Sequence, residues 1–243
     1  MVDAASWIVM LAALAMMRPI MQAAKGRGAV SMKALREGVS FVWTHPVILS
    51  LMALDFSQNF FGSGRALLPI YARDILGVGP QGLGLLYSAT SAGALAMGVV
   101  MSTRGTVQRP GMWVLISVSM YGIFMMLFGI SPFFWLSFLM LAGAGAANTV
   151  SFVLRNTINQ LVTPDEIRGR VTSVNSMFTN TGPQLGQFEA GAAAAMIGPV
   201  AATAVGGMLV TSIAAALAAV ASVRRFEVQE TPAAASEQAP ARA

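Results

Sequence analysis

The sequence predicts an all-α, polytopic membrane protein, and three observations support this fold class. Of the 243 residues, 56% are hydrophobic and only 10% are charged, whereas a soluble domain carries about 25% charged residues. The mean hydropathy is +0.67, so lipid is a better solvent than water for this composition. Apolar runs of about 20 residues, the length that crosses a bilayer as a helix, recur along the chain.

Six apolar runs are long enough to span the membrane. They cover residues 47–71, 82–102, 112–130, 132–154, 171–195 and 198–222. A shorter run at 4–21 is interpreted as a helix or part of one, because Asp3 stands where a signal peptide has basic residues and no small-residue cleavage site follows. Short Gly- and Pro-rich segments separate the runs, and we expect them at the membrane surfaces, where water can solvate exposed backbone.

The basic residues predict the orientation of the spans. When the segment 22–46 is placed in the cytoplasm and the chain is threaded alternately, Arg73 falls in an outer loop and Arg65 lies within a span. All other Lys and Arg residues lie on the cytoplasmic side, with Arg18 and Arg155 at helix ends there. The positive-inside rule therefore predicts a multi-pass protein with a cytoplasmic C-terminus. It also explains the excess of basic residues without nucleic-acid binding.

Two segments are expected to lie outside the bilayer core. Within the linker 22–46, the apolar residues Leu35, Val39, Val42 and Trp43 have the spacing of a short amphipathic helix lying on the inner leaflet. The tail 224–243 is rich in Ala, Glu, Gln and Pro, a composition that predicts disorder.

Two of the predicted spans carry polar stripes. In the run 47–71, the residues Asp55, Gln58, Asn59, Gly62 and Arg65 fall within an arc of about 120°. A charge at the bilayer centre costs about 2.5–3.5 kcal/mol, so such a stripe is expected to face protein or water. The runs 112–130 and 198–222, in contrast, contain no charged residue and are expected to face lipid.

The run 171–195 repeats this pattern. One narrow stripe contains Asn175, Thr179, Gly182, Gly186 and Glu189, and a second stripe beside it contains Asn180, Gln184 and Gln187. The spacing of Gly182 and Gly186 favours close helix packing, and Pro183 can kink the helix.

The charged residues of these stripes allow alternative interpretations. Arg65 and Glu189 are expected at similar depth, so they either pair across an aqueous cavity or extend separately to the outer surface. Asp55 is either a protonatable coupling site or a carboxylate that faces an inner vestibule or bonds to nearby backbone.

The residue inventory argues against an enzyme and against a bound cofactor or metal. The chain has no Cys and a single His, His45, in the predicted surface segment. There is no H-E-x-x-H motif and no pair of aspartates within a predicted span.

Five segments of the chain form a recognisable pattern. They are REGVSFVWTHPVI (36–48), LLPIYARDILG (67–77), GLGLLYSATSAGALAMG (82–98), RNTINQLVTPDEIRGRVTSV (155–174) and GPQLGQFEAG (182–191). Together they resemble the major facilitator superfamily, in the branch of enterobactin exporters and related drug-efflux carriers. The resemblance extends from about residue 4 to residue 222 and corresponds to helices 6 to 12 of the family's twelve.

The resemblance implies a six-helix bundle at 47–223 (helices 7–12), with 1–21 as the end of helix 6. It also implies that substrate binds between two such halves by alternating access, and that helices 7, 8, 10 and 11 border the cavity. Asn148 lies in the middle of the run that matches helix 10. One motif departs from the family, because Ser102 replaces the Asp of the GxxxDRxGRR loop. The loop before helix 11 is better preserved and suggests cytoplasmic ion pairs among Asp165, Glu166, Arg168 and Arg170.

The resemblance implies a secondary transporter of the inner cell membrane, a proton-driven exporter of small amphiphilic molecules such as drugs or siderophores. Its expected partners are lipid, a small-molecule substrate and either an N-terminal six-helix half or a second copy of this chain. The alternative is a non-transporting remnant or an assembly partner of a separate half.

Overall fold

A computed structural model of the chain describes residues 32–103, 107–164 and 167–219, and the regular elements in these residues are all helical, as predicted. The predictions for 1–21, for the start of the 22–46 linker and for the tail 224–243 fall outside the described residues. The elements are α1 (Met32–Thr44), α2 (Pro46–Phe60), a 3-10 turn (Ser63–Leu67), α3 (Leu68–Ile70), a π-helical turn (Tyr71–Ile75), α4 (Gly79–Thr103), α5 (Pro110–Ile130), α6 (Phe134–Val162), α7 (Arg168–Ile197) and α8 (Pro199–Ala219).

Four helices among the described residues are long and apolar enough to cross a membrane, namely α4, α5, α6 and α8. The other two predicted spans are those that carry the polar stripes. Helix α7 has 30 residues, or about 45 Å at 1.5 Å per residue, so its polarity rather than its length sets it apart. The span predicted at 47–71 is not one helix, because it is divided after α2.

The break after α2 is stabilised by side-chain hydrogen bonds to backbone carbonyls. The chain leaves α-helical geometry at Gly62 and passes through the 3-10 turn into α3 and the π-helical turn. The hydroxyl of Tyr121, on α5, donates to the carbonyl of Gly62 at 2.8 Å. The hydroxyl of Tyr71 donates to the carbonyl of Gly129, near the end of α5, at 2.9 Å. Carbonyls that helix geometry leaves free are therefore satisfied inside the bundle, as lipid requires.

Small residues bring the remaining helices into close contact. A Cβ atom at Gly93 of α4 would overlap the carbonyl of Ala142 on α6, and one at Gly145 of α6 would overlap the carbonyl of Thr90 on α4. Helices α5 and α8 meet in the same way at Gly122 and Gly207. Such contacts, rather than apolar burial alone, select the partners of helices in lipid.

The two charge-free helices are each buried on one side only. In α5, Val114, Val118 and Phe128 are buried, whereas Trp113 and Ile116 are exposed. In α8, Val210 and Ala214 are fully buried, and Met208 is exposed. The expectation that these helices face lipid therefore describes only one of their faces.

The described apolar residues of the amphipathic helix predicted at this position lie on two different sides of α1. Val42 is buried in a cluster with Ile48, Met52, Val171 and Val174, so it packs against α2 and α7. Val39 and Trp43 are exposed, Trp43 at 70%. The side chain of Leu35 is outside the described part of the structure.

Candidate functional site

The centre of the polar interior is an ion pair between Asp55 and Arg155. Nη2 of Arg155, on α6, lies 2.7 Å from Oδ1 of Asp55, on α2, and the two side chains are 7% and 13% exposed. Asn59 donates to Oδ1 of Asp55 at 3.0 Å. Thr179, on α7, donates to Oδ2 at 3.2 Å. One carboxylate thus joins α2, α6 and α7.

The sequence predicted Arg155 at a cytoplasmic helix end, and the structure buries its side chain against Asp55 in the last two turns of α6. The Asp55 carboxylate is largely buried and bonds to side chains, and its role as a protonatable coupling site stays a prediction. A signal was present in the sequence, because Asn148, Ser151, Arg155 and Asn159 are spaced by 3, 4 and 4 residues. That spacing places them along one face of a helix, and it forms a third polar stripe that faces the stripe of α2.

A second polar connection lies one helical turn along α2. Nε2 of Gln58 donates to Oδ1 of Asn148 at 2.9 Å, and Ser151 donates to Oε1 of Gln58 at 3.4 Å. Gln58 is 3% exposed, so this amide is satisfied within the interface. The sequence predicted both Gln58 and Asn148 as site residues, and the structure brings them together.

A small chamber lies beside the ion pair, and we call it the Asp55 chamber. Its volume is about 20 Å³. The walls come from α2, α6 and α7, which explains why the predicted residue Asn175 belongs to the same site as Asp55. The lining residues are Leu51, Asp55, Phe152, Arg155, Asn156, Asn159, Asn175 and Thr179.

A larger cavity lies further along α2 and α7, and we call it the Arg65 cavity. Its volume is about 320 Å³. Four residues predicted for the substrate and proton pathway line it, together with two tyrosines that the sequence did not single out. The lining residues are Gln58, Asn59, Gly62, Ser63, Arg65, Ala66, Tyr87, Tyr121, Pro183 and Gln187.

The stripe of α7 meets α2 through its glycines, as the Gly182–Gly186 spacing predicted. A Cβ atom at Gly186 would overlap the carbonyl of Asn59 and the hydroxyl of Ser63. Residue Gly182 lies against Asn59 as well, and the helix continues through Pro183. This contact between α7 and α2 places Thr179 next to Asp55 and Gln187 in the wall of the Arg65 cavity.

Other predicted site residues are not gathered into either space. Arg65 and Glu189 form no ion pair with each other in the described structure: Arg65 is exposed at the cavity and Glu189 is half-buried on α7. Asn180 is exposed and donates to the carbonyl of Ser176 at 2.8 Å. Gln184 is exposed on α7.

The predicted loop ion pairs are only partly visible. Asp165 and Glu166 fall outside the described residues. Arg170 pairs with Glu37 of α1, and Arg168 donates to the carbonyl of Gln160 at 3.3 Å. The Arg170–Glu37 pair reinforces the docking of α1 on the first turns of α7.

The site therefore combines a buried ion pair with an open polar cavity. The carboxylate of Asp55 is held by one guanidinium and by two neutral donors. A polar cavity lined by Gln, Asn, Arg and Tyr side chains can hydrogen-bond a mixed polar and aromatic solute.

The family model described as transmembrane secretion effector matches residues 1–242. No solved structure matched the chain.

The curated relatives include enterobactin exporters named EntS. Those of Escherichia coli O1:K1 / APEC, Escherichia coli O157:H7 (strain EC4115 / EHEC) and Shigella boydii serotype 18 are each 28% identical over 203 residues. The aligned part is 83% of this chain and 48% of each relative. The chain thus spans about half the length of the curated relatives it matches.

Proposed function

Because the chain belongs to the transmembrane secretion effector family, a branch of the major facilitator superfamily, we propose that it forms one six-helix half of a proton-driven exporter. The proposed cargo is a small amphiphilic molecule, such as a drug or a siderophore. The relatives named enterobactin exporters support export as the direction of transport. The proposed location is the inner cell membrane, with the C-terminus in the cytoplasm, which the distribution of basic residues supports.

The observation that carries the proposal is the buried Asp55–Arg155 pair. A buried ion pair adds little net stability compared with apolar side chains of similar volume. Intramembrane charges are therefore retained mainly where they serve transport or proton movement. Here the pair joins three helices next to an open polar cavity. We infer that protonation of Asp55 weakens the junction and lets α2, α6 and α7 rearrange.

The Arg65 cavity is the proposed surface that contacts substrate. It lies on α2 and α7, whose counterparts in the superfamily border the substrate path, and Tyr87 of α4 adds an aromatic wall. A second surface, from an N-terminal six-helix half or from a second copy of this chain, is proposed to close it.

The test is efflux from cells that express the chain alone or the chain together with a six-helix N-terminal half. Fluorescent dyes and siderophores serve as substrates, with and without an uncoupler. Transport by the chain alone would support a pair of identical halves, and transport only with the second half would support two different halves. Absence of transport in both arrangements would favour a non-transporting assembly partner.

We expect Asp55→Asn to abolish uncoupler-sensitive efflux, because the amide cannot exchange a proton and leaves Arg155 without a counter-charge. Asp74→Asn is the matched control, since Asp74 is exposed and its described ion-pair partner is the neighbouring Arg73 of the π-helical turn, with Nε and Oδ1 3.6 Å apart. Full uncoupler-sensitive efflux by Asp55→Asn would contradict the coupling role.

A further inference from the structure

Two residues of the Asp55 chamber each carry a buried polar atom that has no hydrogen-bond partner in the described part of the chain. Nη1 of Arg155 is a donor, and Oδ1 of Asn159 is an acceptor. Both residues line the chamber. They stand four residues apart on α6, which places them on the same face.

Burying such atoms unpaired is costly, because each loses its hydrogen bonds to water. Arg155 is 6% exposed, so bulk water does not reach most of its guanidinium. Nη2 of Arg155 pairs with Asp55, and no described protein group accepts a hydrogen bond from Nη1. The chamber is a described space that Arg155 lines, so it can accommodate a partner for Nη1.

The size and polarity of the chamber limit what that partner is. A cavity of about 20 Å³ exceeds the ~10–15 Å³ that one water needs. An anion would satisfy Nη1, but it would face the acceptor Oδ1 of Asn159. A water molecule accepts from Nη1 and donates to Oδ1, so it satisfies both atoms.

From these contacts we propose that the Asp55 chamber binds one ordered water between Arg155 and Asn159, and that Asp55 exchanges its proton through this water. The second part rests on the proposed exporter function, and the first does not. Within the described residues, Arg155 of α6 is the charged group paired with Asp55; α7 presents the neutral Thr179 and Asn175, and α2 the neutral Asn59. No other described side chain at the chamber can supply a proton to Asp55.

Radiolytic hydroxyl-radical footprinting of the full chain in lipid nanodiscs tests for the water. Bound water generates radicals in place, so a buried side chain is oxidised only when water lies beside it. Leu51 lines the chamber and is 1% exposed, whereas Leu54 is 0% exposed and lines neither space. We expect oxidation of Leu51 but not of Leu54. Equal protection of both leucines in the wild-type chain would overturn the water site.

Substitution of Asn159 separates the water from its role in proton exchange. Asn159→Leu removes the acceptor and fills the chamber, so oxidation of Leu51 should be lost and uncoupler-sensitive efflux should fall several-fold. Thr157→Leu is the control, because Thr157 is exposed on the same helix and bonds only to the carbonyl of Val153. Loss of Leu51 oxidation with unchanged efflux would overturn the proton role and leave the water site standing. Efflux that is absent even with wild-type Asn159 would count against the exporter proposal, while the footprint would still decide the water site.

Discussion

At the scale of single residues, the main feature is the pair of opposite charges, Asp55 and Arg155, inside a bundle of membrane helices. The carboxylate receives three described hydrogen-bonding partners from three helices. Each charge is tolerable only because the other is present, since an unpaired buried charge is far more costly than the pair. The pair is therefore a weak contributor to net stability but a strong constraint on which helices stay together.

A double-mutant cycle measures this dependence. We expect Asp55→Leu and Arg155→Met each to lower the free energy of unfolding by about 3–5 kcal/mol, because each leaves one buried charge uncompensated. The double variant should lie close to wild type. Unfolding in mixed micelles with increasing SDS gives the four values. Additive losses in the double variant would show that the two charges are not coupled.

Asp74→Leu is measured beside this cycle, as a reference for the loss of an exposed ion pair. Asp74 and Arg73 are 3.6 Å apart with side chains 60% and 88% exposed, so about 0–1 kcal/mol is expected from this pair.

At the scale of elements, α7 is the least apolar of the predicted spans, and it positions polar residues at both the Asp55 chamber and the Arg65 cavity. It carries Thr179 to Asp55, Asn175 to the Asp55 chamber and Gln187 to the Arg65 cavity. What allows this is the absence of side chains at Gly182 and Gly186, which lets the helix approach the end of α2. The polar contacts of α7 thus depend on its glycines.

Gly186→Ala tests this dependence. The added Cβ would meet the backbone carbonyls of Asn59 and Phe60, which cannot rotate away, so we expect a loss of about 1–3 kcal/mol from overpacking. Gly191→Ala on the same helix is the matched control, because no atom lies within 4 Å of its Cβ position, and it should be neutral or gain up to ~1 kcal/mol from helix propensity. Thermal unfolding in detergent reports both. Equal melting temperatures for the two variants would refute the close contact.

At the scale of the whole molecule, the orientation in the membrane decides which solution each space meets. The threading predicted from basic residues puts the start of α7 in the cytoplasm and the start of α4 outside. With that orientation, the Asp55 chamber lies in the cytoplasmic half of the bundle and the Arg65 cavity in the outer half. In the proposed carrier, the coupling site and the cargo site lie at different depths. Residues of α2 and α7 line both spaces, so these two helices would link the two sites.

Single cysteines can establish the orientation, since the chain has no native Cys. Gly169→Cys lies at the exposed start of α7 and Gln81→Cys at the exposed start of α4. A membrane-impermeant thiol reagent should label Gly169→Cys in inverted vesicles and Gln81→Cys in right-side-out vesicles, because charge bias places these ends on opposite faces. The reverse labelling pattern would invert the proposed orientation.

Much of this protein follows from the sequence alone. Apolar run length identified the helices and the bilayer as their solvent, because backbone in lipid must be hydrogen-bonded within its own segment. The polar stripes at Asp55–Arg65 and Asn175–Glu189 lie on the two predicted spans that are not among the four described helices apolar enough to cross a membrane. The quoted segments indicated the superfamily, to which the chain belongs.

The partners of these stripes were decided only by the tertiary structure. Asp55 pairs with Arg155, a hundred residues away, and not with a residue of its own span, while Arg65 and Glu189 do not pair with each other. Periodicity reports which side of a helix avoids lipid, but it does not report which helix covers that side. That choice depends on close backbone contacts at glycines such as Gly145 and Gly186. These contacts follow from the three-dimensional shapes of the packed helices, and the pattern of apolar and polar residues does not encode them.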